Sequence, residues 1–149
     1  MLLGDLMFAR FLAGKYCMHI FVQIHPLSGN QLPQSFESFA KTLENIVGMY
    51  FEMDGSFVWV DHDGAPASQM DGMVYDRQDK LAYIEIKGAC NVKQWLTICL
   101  AACGLPSLEN PELMSYDGKK TYEVIDQIAR IHRVAEGDWT KASDVASQL

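Results

Sequence analysis

The segment Leu81-Ala82-Tyr83-Ile84-Glu85-Ile86-Lys87-Gly88 constrains the fold more than any other stretch of the chain. Side chains on a β-strand alternate between faces, so Ile84 and Ile86 turn into a core while Glu85 and Lys87 project together from the other side. A second carboxylate lies upstream in Met70-Asp71-Gly72, at the start of the strand expected to neighbour this one. Pairing the two strands brings Asp71 towards Glu85. Two carboxylates are the minimum needed to hold a divalent cation beside the Lys87 ammonium.

The flanking sequence supplies the other elements. His19 to His25 reads as a strand from its β-branched and aromatic content, closed by the polar loop Pro26 to Gln34. Ser35 is placed to cap a helix running to about Val47, with Gly48 to end it. Phe36, Phe39, Leu43 and Ile46 form its apolar stripe, and Glu37 and Lys41 make an i,i+4 pair. Asp54-Gly55 between Met49–Met53 and Ser56–Val60 predicts a tight hairpin. Gln69 to Tyr75 and Leu81 to Lys87 predict a second hairpin around Asp76–Lys80. Asn91 caps a helix to Cys103 whose second half is apolar on nearly every side, and Gly104 and Pro106 stop it. Glu112 to Tyr116 reads as a short strand. Thr121 opens a further helix to about Glu136, with Val124, Ile128, Ile131 and Ala135 inward and Arg130, His132 and Arg133 at its C-terminal dipole end. The tail with Trp139 adds one helical turn. The expected architecture is α+β: a mostly antiparallel or mixed sheet of about five strands, packed by two to three helices on one or both faces. Residues 18–149 form one domain, and residues 1–17 an N-terminal extension of undecided role.

Composition narrows the function classes. A net charge of -7 and a pI near 4.9 disfavour nucleic acid and anionic lipid as partners, and leave a protein partner open. Asp5, Arg10 and Lys15 interrupt the apolar first 24 residues, so neither a membrane span nor a secretory signal is expected. Cys17, Cys90, Cys99 and Cys103 lack the spacing of a disulfide scaffold, which suggests reduced thiols in a cytoplasmic protein. Cys99 and Cys103 with a histidine such as His132 are a minor metal-site candidate, as are His19 with His25 and the loop Asp61-His62-Asp63. Each of these has an ordinary structural reading beside it.

The order helix, strand ending in Asp71, strand with Glu85-Ile86-Lys87, helix resembles the core of the PD-(D/E)xK nuclease superfamily. The resemblance spans about residues 36 to 103 as an order of elements, and Asp71, Glu85 and Lys87 as identities. It implies Mg²⁺ held by Asp71 and Glu85, with Lys87 positioning or activating the attacking water, and Glu44 from the first helix as an additional acid. The chemistry is coherent: a hard cation takes carboxylate oxygens and lowers the pKa of a bound water, while an ammonium favours the charge that builds on a phosphate. Met70 stands where the superfamily often has proline, and only Arg77, Lys80, Lys87 and Lys93 are at hand to grip a phosphate chain.

A second reading fits the same residues. Asp71-Gly72 is then a turn or bulge pair, and Glu85 and Lys87 are the solvated side of a half-buried strand. On that reading the chain is a non-enzymatic acidic binding or immunity-like module, presenting Trp59, Tyr75 and acidic residues to a basic partner. The sequence leaves catalysis undecided between the two.

Overall fold

The computed structural model describes residues 18–61, 68–106 and 118–149. Its elements run β1 (Met18–Pro26), α1 (Phe36–Glu44), β2 (Met49–Phe51), β3 (Ser56–Asp61), β4 (Ser68–Arg77) and β5 (Lys80–Cys90). They continue with α2 (Val92–Ala102), α3 (Gly118–Ile128), β6 (Ala129–Arg133), β7 (Asp138–Thr140) and α4 (Ala142–Gln148). The strands form one antiparallel sheet in the order β2-β3-β4-β5-β1-β6-β7. The α+β class agrees with the sequence reading. The counts do not: among the described residues there are seven strands and four helices.

The additional strands come from the segment expected to be a long helix. Its helix stops at Ile128, and Ala129–Arg133 instead pairs with β1, setting Ile24 opposite Ile131 and Gln23 opposite His132. The reason is a change of period: from Ala129 on, buried Ala129 and Ile131 alternate with outward Arg130 and His132. Gly137, at φ +71, turns the chain back into β7, so Trp139 sits on a strand opposite His132. Upstream, α3 buries Thr121, Tyr122 and Ile125, and leaves Val124 exposed, reversing the inward assignment of Val124. The proposed strand at Glu112–Tyr116 and the extension 1–17 lie outside the described residues.

The N-caps and the first hairpin hold as read, but α1 ends at Glu44 with Asn45 as its C-cap, short of the expected Val47 and Gly48. The Ser35 hydroxyl accepts from Ser38 N, and Asn91 and Gln94 form a reciprocal capping box. Glu37 and Lys41 pair at 3.2 Å. Asp54 turns the first hairpin by accepting from Ser56 N, with Gly55 at φ +97.

The helices bury one stripe each against a single face of the sheet. Phe39 and Leu43 of α1, Trp95, Ile98 and Cys99 of α2, Ile125 of α3 and Val145 of α4 join Val22, Ile24, Phe57, Met70, Ile84, Ile86 and Ile131 in one core. Trp59 belongs to this inner face, 8% exposed, so it is not presented to a partner. The error follows from parity: Trp59 pairs with buried Met70, and pairs opposite each other share a face. Burial raises the Cys99 thiol well above its usual range and pushes Cys103 up to about 12, which makes both inert packing groups.

The β4–β5 turn carries a local cost. Gln78 and Asp79 both have positive φ, 52° and 68°, and neither is glycine. That is the two-residue hairpin geometry for which Asn-Gly is the best sequence. Replacing the pair by Asn-Gly should stabilise the protein by about 1 kcal/mol, read as a higher urea midpoint at unchanged m.

Candidate functional site

The sheet face turned away from the helices carries every second residue of the strands. In the middle strands these are Asp71, Met73 and Tyr75 of β4, Tyr83, Glu85 and Lys87 of β5, and Phe21, Gln23 and His25 of β1, followed by Arg130 and His132 of β6 and Trp139 of β7. No helix among the described residues packs across it; the core they form lies on the other side.

Asp71, Glu85 and Lys87 share this face, in a different register from the one expected. Asp71 lies directly opposite Lys87, and Glu85 lies opposite Met73, so the two carboxylates are diagonal neighbours. Such positions are about 7–8 Å apart at the backbone. Each side chain is drawn to a different neighbour. Gln69 Nε2 donates to Asp71 Oδ1 at 2.9 Å, and Gln23 Nε2 donates to Glu85 Oε1 at 2.9 Å. Lys87 Nζ lies 5.1 Å from the centre of the Phe21 ring. A shallow hollow of about 680 Å³ at this end of the sheet is lined by His19, Phe21, Asp71, Lys87, Arg133 and Glu136 among others, but not by Glu85. Glu44 is an exposed residue of α1, in the helical layer on the far side of the sheet. Asp71-Gly72 is neither turn nor bulge: Gly72 is paired to Phe57 on one side and Ile86 on the other.

Two of the three minor metal candidates are not assembled. Cys99 and Cys103 are in the core, whereas His132 is on the outer face against Trp139. His19 and His25 do share a face, at opposite ends of β1, which separates them by about 20 Å at the rise of a strand. His62 and Asp63 lie outside the described residues. Among the described residues no group of three His, Cys, Asp or Glu side chains could hold a metal ion.

What the face does assemble is a belt of rings. Tyr75 and Tyr83 stack at 4.4 Å between centroids, and His25 stacks on Tyr83 at 4.7 Å. Trp139 meets His25 edge-on at 5.1 Å and His132 at 4.9 Å, and the Arg130 guanidinium lies 3.8 Å above the Trp139 ring. Because these rings stand on adjacent strands and face one another, they present edges and polar tips outward. Burial of Tyr83, then Tyr75 and Glu85, raise its phenol pKa.

A relay of hydrogen bonds crosses the belt. Gln23 spends its amide N–H on Glu85, so its Oε1 is the acceptor for His25 Nε2 at 2.9 Å. That fixes the proton on Nε2 and leaves Nδ1 as the atom that gains or loses one. Burial pulls the His25 pKa below its ordinary range, and the positive field of His132 and Arg130 lowers it further.

Beside His25, a pocket of about 270 Å³ is lined by Arg77, Tyr83, Arg130 and the loop residues Gly29 and Asn30 among others. Among the described residues no carboxylate lines it. Neither arginine forms an ion pair with a described residue. The sequence reading missed this cluster. Its signal was the alternation in Ala129–Arg133, which puts Arg130 and His132 on one face once that segment is a strand.

Searches of protein-family models, curated proteins and solved structures find no match to this chain. Among the described residues, no helix is long and apolar enough to cross a membrane.

Proposed function

We propose that this chain is a non-enzymatic binding module that takes a protein partner on the outer sheet face, with an acidic stretch of the partner at the Arg77–Arg130 end. The observation that carries the reading is the ring belt running into a pocket whose two arginines have no carboxylate partner among the described residues. Rings that are already stacked offer a rigid surface with little entropy left to lose on binding. The chain is acidic overall, -7, so a locally cationic end is a departure that favours an acidic rather than a basic contact.

Octaglutamate, titrated into the full chain with octalysine as the control, tests this by tryptophan fluorescence. Trp59 and Trp95 are buried and Trp139 is 47% exposed, so a binding signal should vanish in Trp139→Phe. Octaglutamate should bind saturably and weaken with salt, and Arg77→Gln should cost about tenfold in affinity. A preference for octalysine would overturn the charge assignment, and no saturable response to either peptide would overturn the docking face.

A second reading keeps the nuclease-like site, because Asp71, Glu85 and Lys87 project from one face. Mg²⁺ would then sit between the Asp71 and Glu85 carboxylates. The residues fit it poorly: two diagonal carboxylates, each already accepting from a glutamine amide, offer little of the six-oxygen shell that Mg²⁺ requires. On the binding-module reading, Mg²⁺ or Mn²⁺ should shift the melting temperature of the native chain and of Glu85→Ala equally. A rise seen only in the native chain would favour the metal site.

A further inference from the structure

We propose that the pocket between His25, Arg77, Tyr83 and Arg130 is a subsite for a phosphoryl group carried by the protein partner, an inference that rests on the docking-face reading and names its acidic group. Charge matching favours phosphoryl over carboxylate. Two arginines line the pocket, and among the described residues no carboxylate stands in its wall and none forms an ion pair with either arginine. A phosphate monoester brings close to two negative charges and three acceptor oxygens, whereas a carboxylate brings one charge and two oxygens. Each guanidinium has five donors in a planar fork suited to phosphate. The Arg130 guanidinium carbon lies 3.8 Å over the centre of the Trp139 ring, a cation–π contact that helps to hold the side chain beside the pocket.

His25 gives the pocket a reporter. The groups facing it are Arg130 and His132 from β6, Tyr83 from β5 and Arg77 across the pocket, with Glu85 reached through Gln23. Burial first, then the electrostatic influence of His132 and Arg130, keeps the imidazole neutral to lower pH than usual. A bound dianion reverses the sign of that field, so the His25 pKa should move upward when the subsite fills. A ligand bound elsewhere on the face would leave it in place.

The test is an NMR titration of the full chain with inorganic phosphate, with acetate at matched ionic strength as the control, observing the His25 imidazole and the arginine side chains. Phosphate should give saturable shifts at His25, Arg77 and Arg130 with a dissociation constant of about 1 mM, and acetate should bind about tenfold more weakly. Arg77→Gln and Arg130→Gln should each weaken phosphate about tenfold, while Lys93→Gln, an exposed cation on α2, should not. An equal response to acetate, an unmoved His25 pKa, or equal weakening by Lys93→Gln would overturn the proposal.

A phosphoserine peptide and 5′-AMP separate the sources: tighter binding of the peptide supports a protein-borne phosphoryl, and tighter binding of the nucleotide overturns it. If octaglutamate binds and phosphate does not, the subsite fails while the docking face stands. If phosphate binds and neither octaglutamate nor octalysine does, the docking face fails instead.

Discussion

Trp95→Ala should cost about 3–5 kcal/mol, the upper range for truncating a buried aromatic side chain. Trp95 is fully buried at the centre of the helical layer, and its indole N–H donates to the carbonyl of Ala142 at 3.0 Å. It therefore does two jobs. The ring fills the core, and the hydrogen bond ties α2 to the first residue of α4. Trp95→Phe separates them, because it keeps most of the ring and removes only the donor. That variant should lose about 1–2 kcal/mol, a lost buried hydrogen bond plus a small void. Urea unfolding at constant m measures both. A Phe variant as unstable as the Ala variant would mean that the α2–α4 tie, not the ring volume, dominates. The consequence reaches the outer face: α4 packs under β6, and β6 carries Arg130 and His132. Hydrogen exchange in Trp95→Ala should accelerate in β6 and β7 before it does in β4 and β5.

The parts of this fold that were legible in the sequence are those whose signal is local. Ser35, Asn91 and Asp54 each satisfy a backbone donor within three residues, and each is found capping or turning where it was expected. The alternation in Leu81–Lys87 was sufficient to place Ile84 and Ile86 inside and Glu85 and Lys87 outside. After Ile125 two periods coincide. Ile128 and Ile131 are three apart and satisfy a helical stripe, yet Ala129 and Ile131 are two apart and satisfy a strand. A helical reading of this segment hides β6 and β7, and with them the common face that Arg130, His132 and Trp139 share.

The ring belt was illegible for a different reason. Tyr75, Tyr83, His25 and Trp139 come from four strands, and only the order β4-β5-β1-β6-β7 makes neighbours of them. Register decided the candidate site in the same way. That Asp71 and Glu85 share a face follows from alternation, but that Lys87 rather than Glu85 stands opposite Asp71 depends on how β4 and β5 align.

Gly72→Ala should destabilise the protein by about 3 kcal/mol, for a reason that lies across the strand rather than in the backbone. Gly72 is not among the residues with positive φ, so alanine meets no conformational barrier there. A methyl group would instead enter the Phe57 ring, at 2.0 Å from its Cζ. Phe57 is directly opposite, 1% exposed, and held by Phe39 at 6.3 Å and Phe51 at 6.1 Å between ring centroids. The ring therefore lies over the glycine and has no free space to move into. Phe57→Ala alone should cost about 3–5 kcal/mol through the cavity it leaves. In the double variant the methyl group added at position 72 enters space that the ring has vacated, so the pair should cost at least about 1 kcal/mol less than the two single losses together. Strict additivity would mean that Gly72 is required for its backbone, as the turn or bulge reading of Asp71-Gly72 supposed. A favourable coupling would instead assign the glycine to the inner face, where it seats Phe57 and keeps β3 close to β4, and leave Asp71 beside it free to project from the outer one.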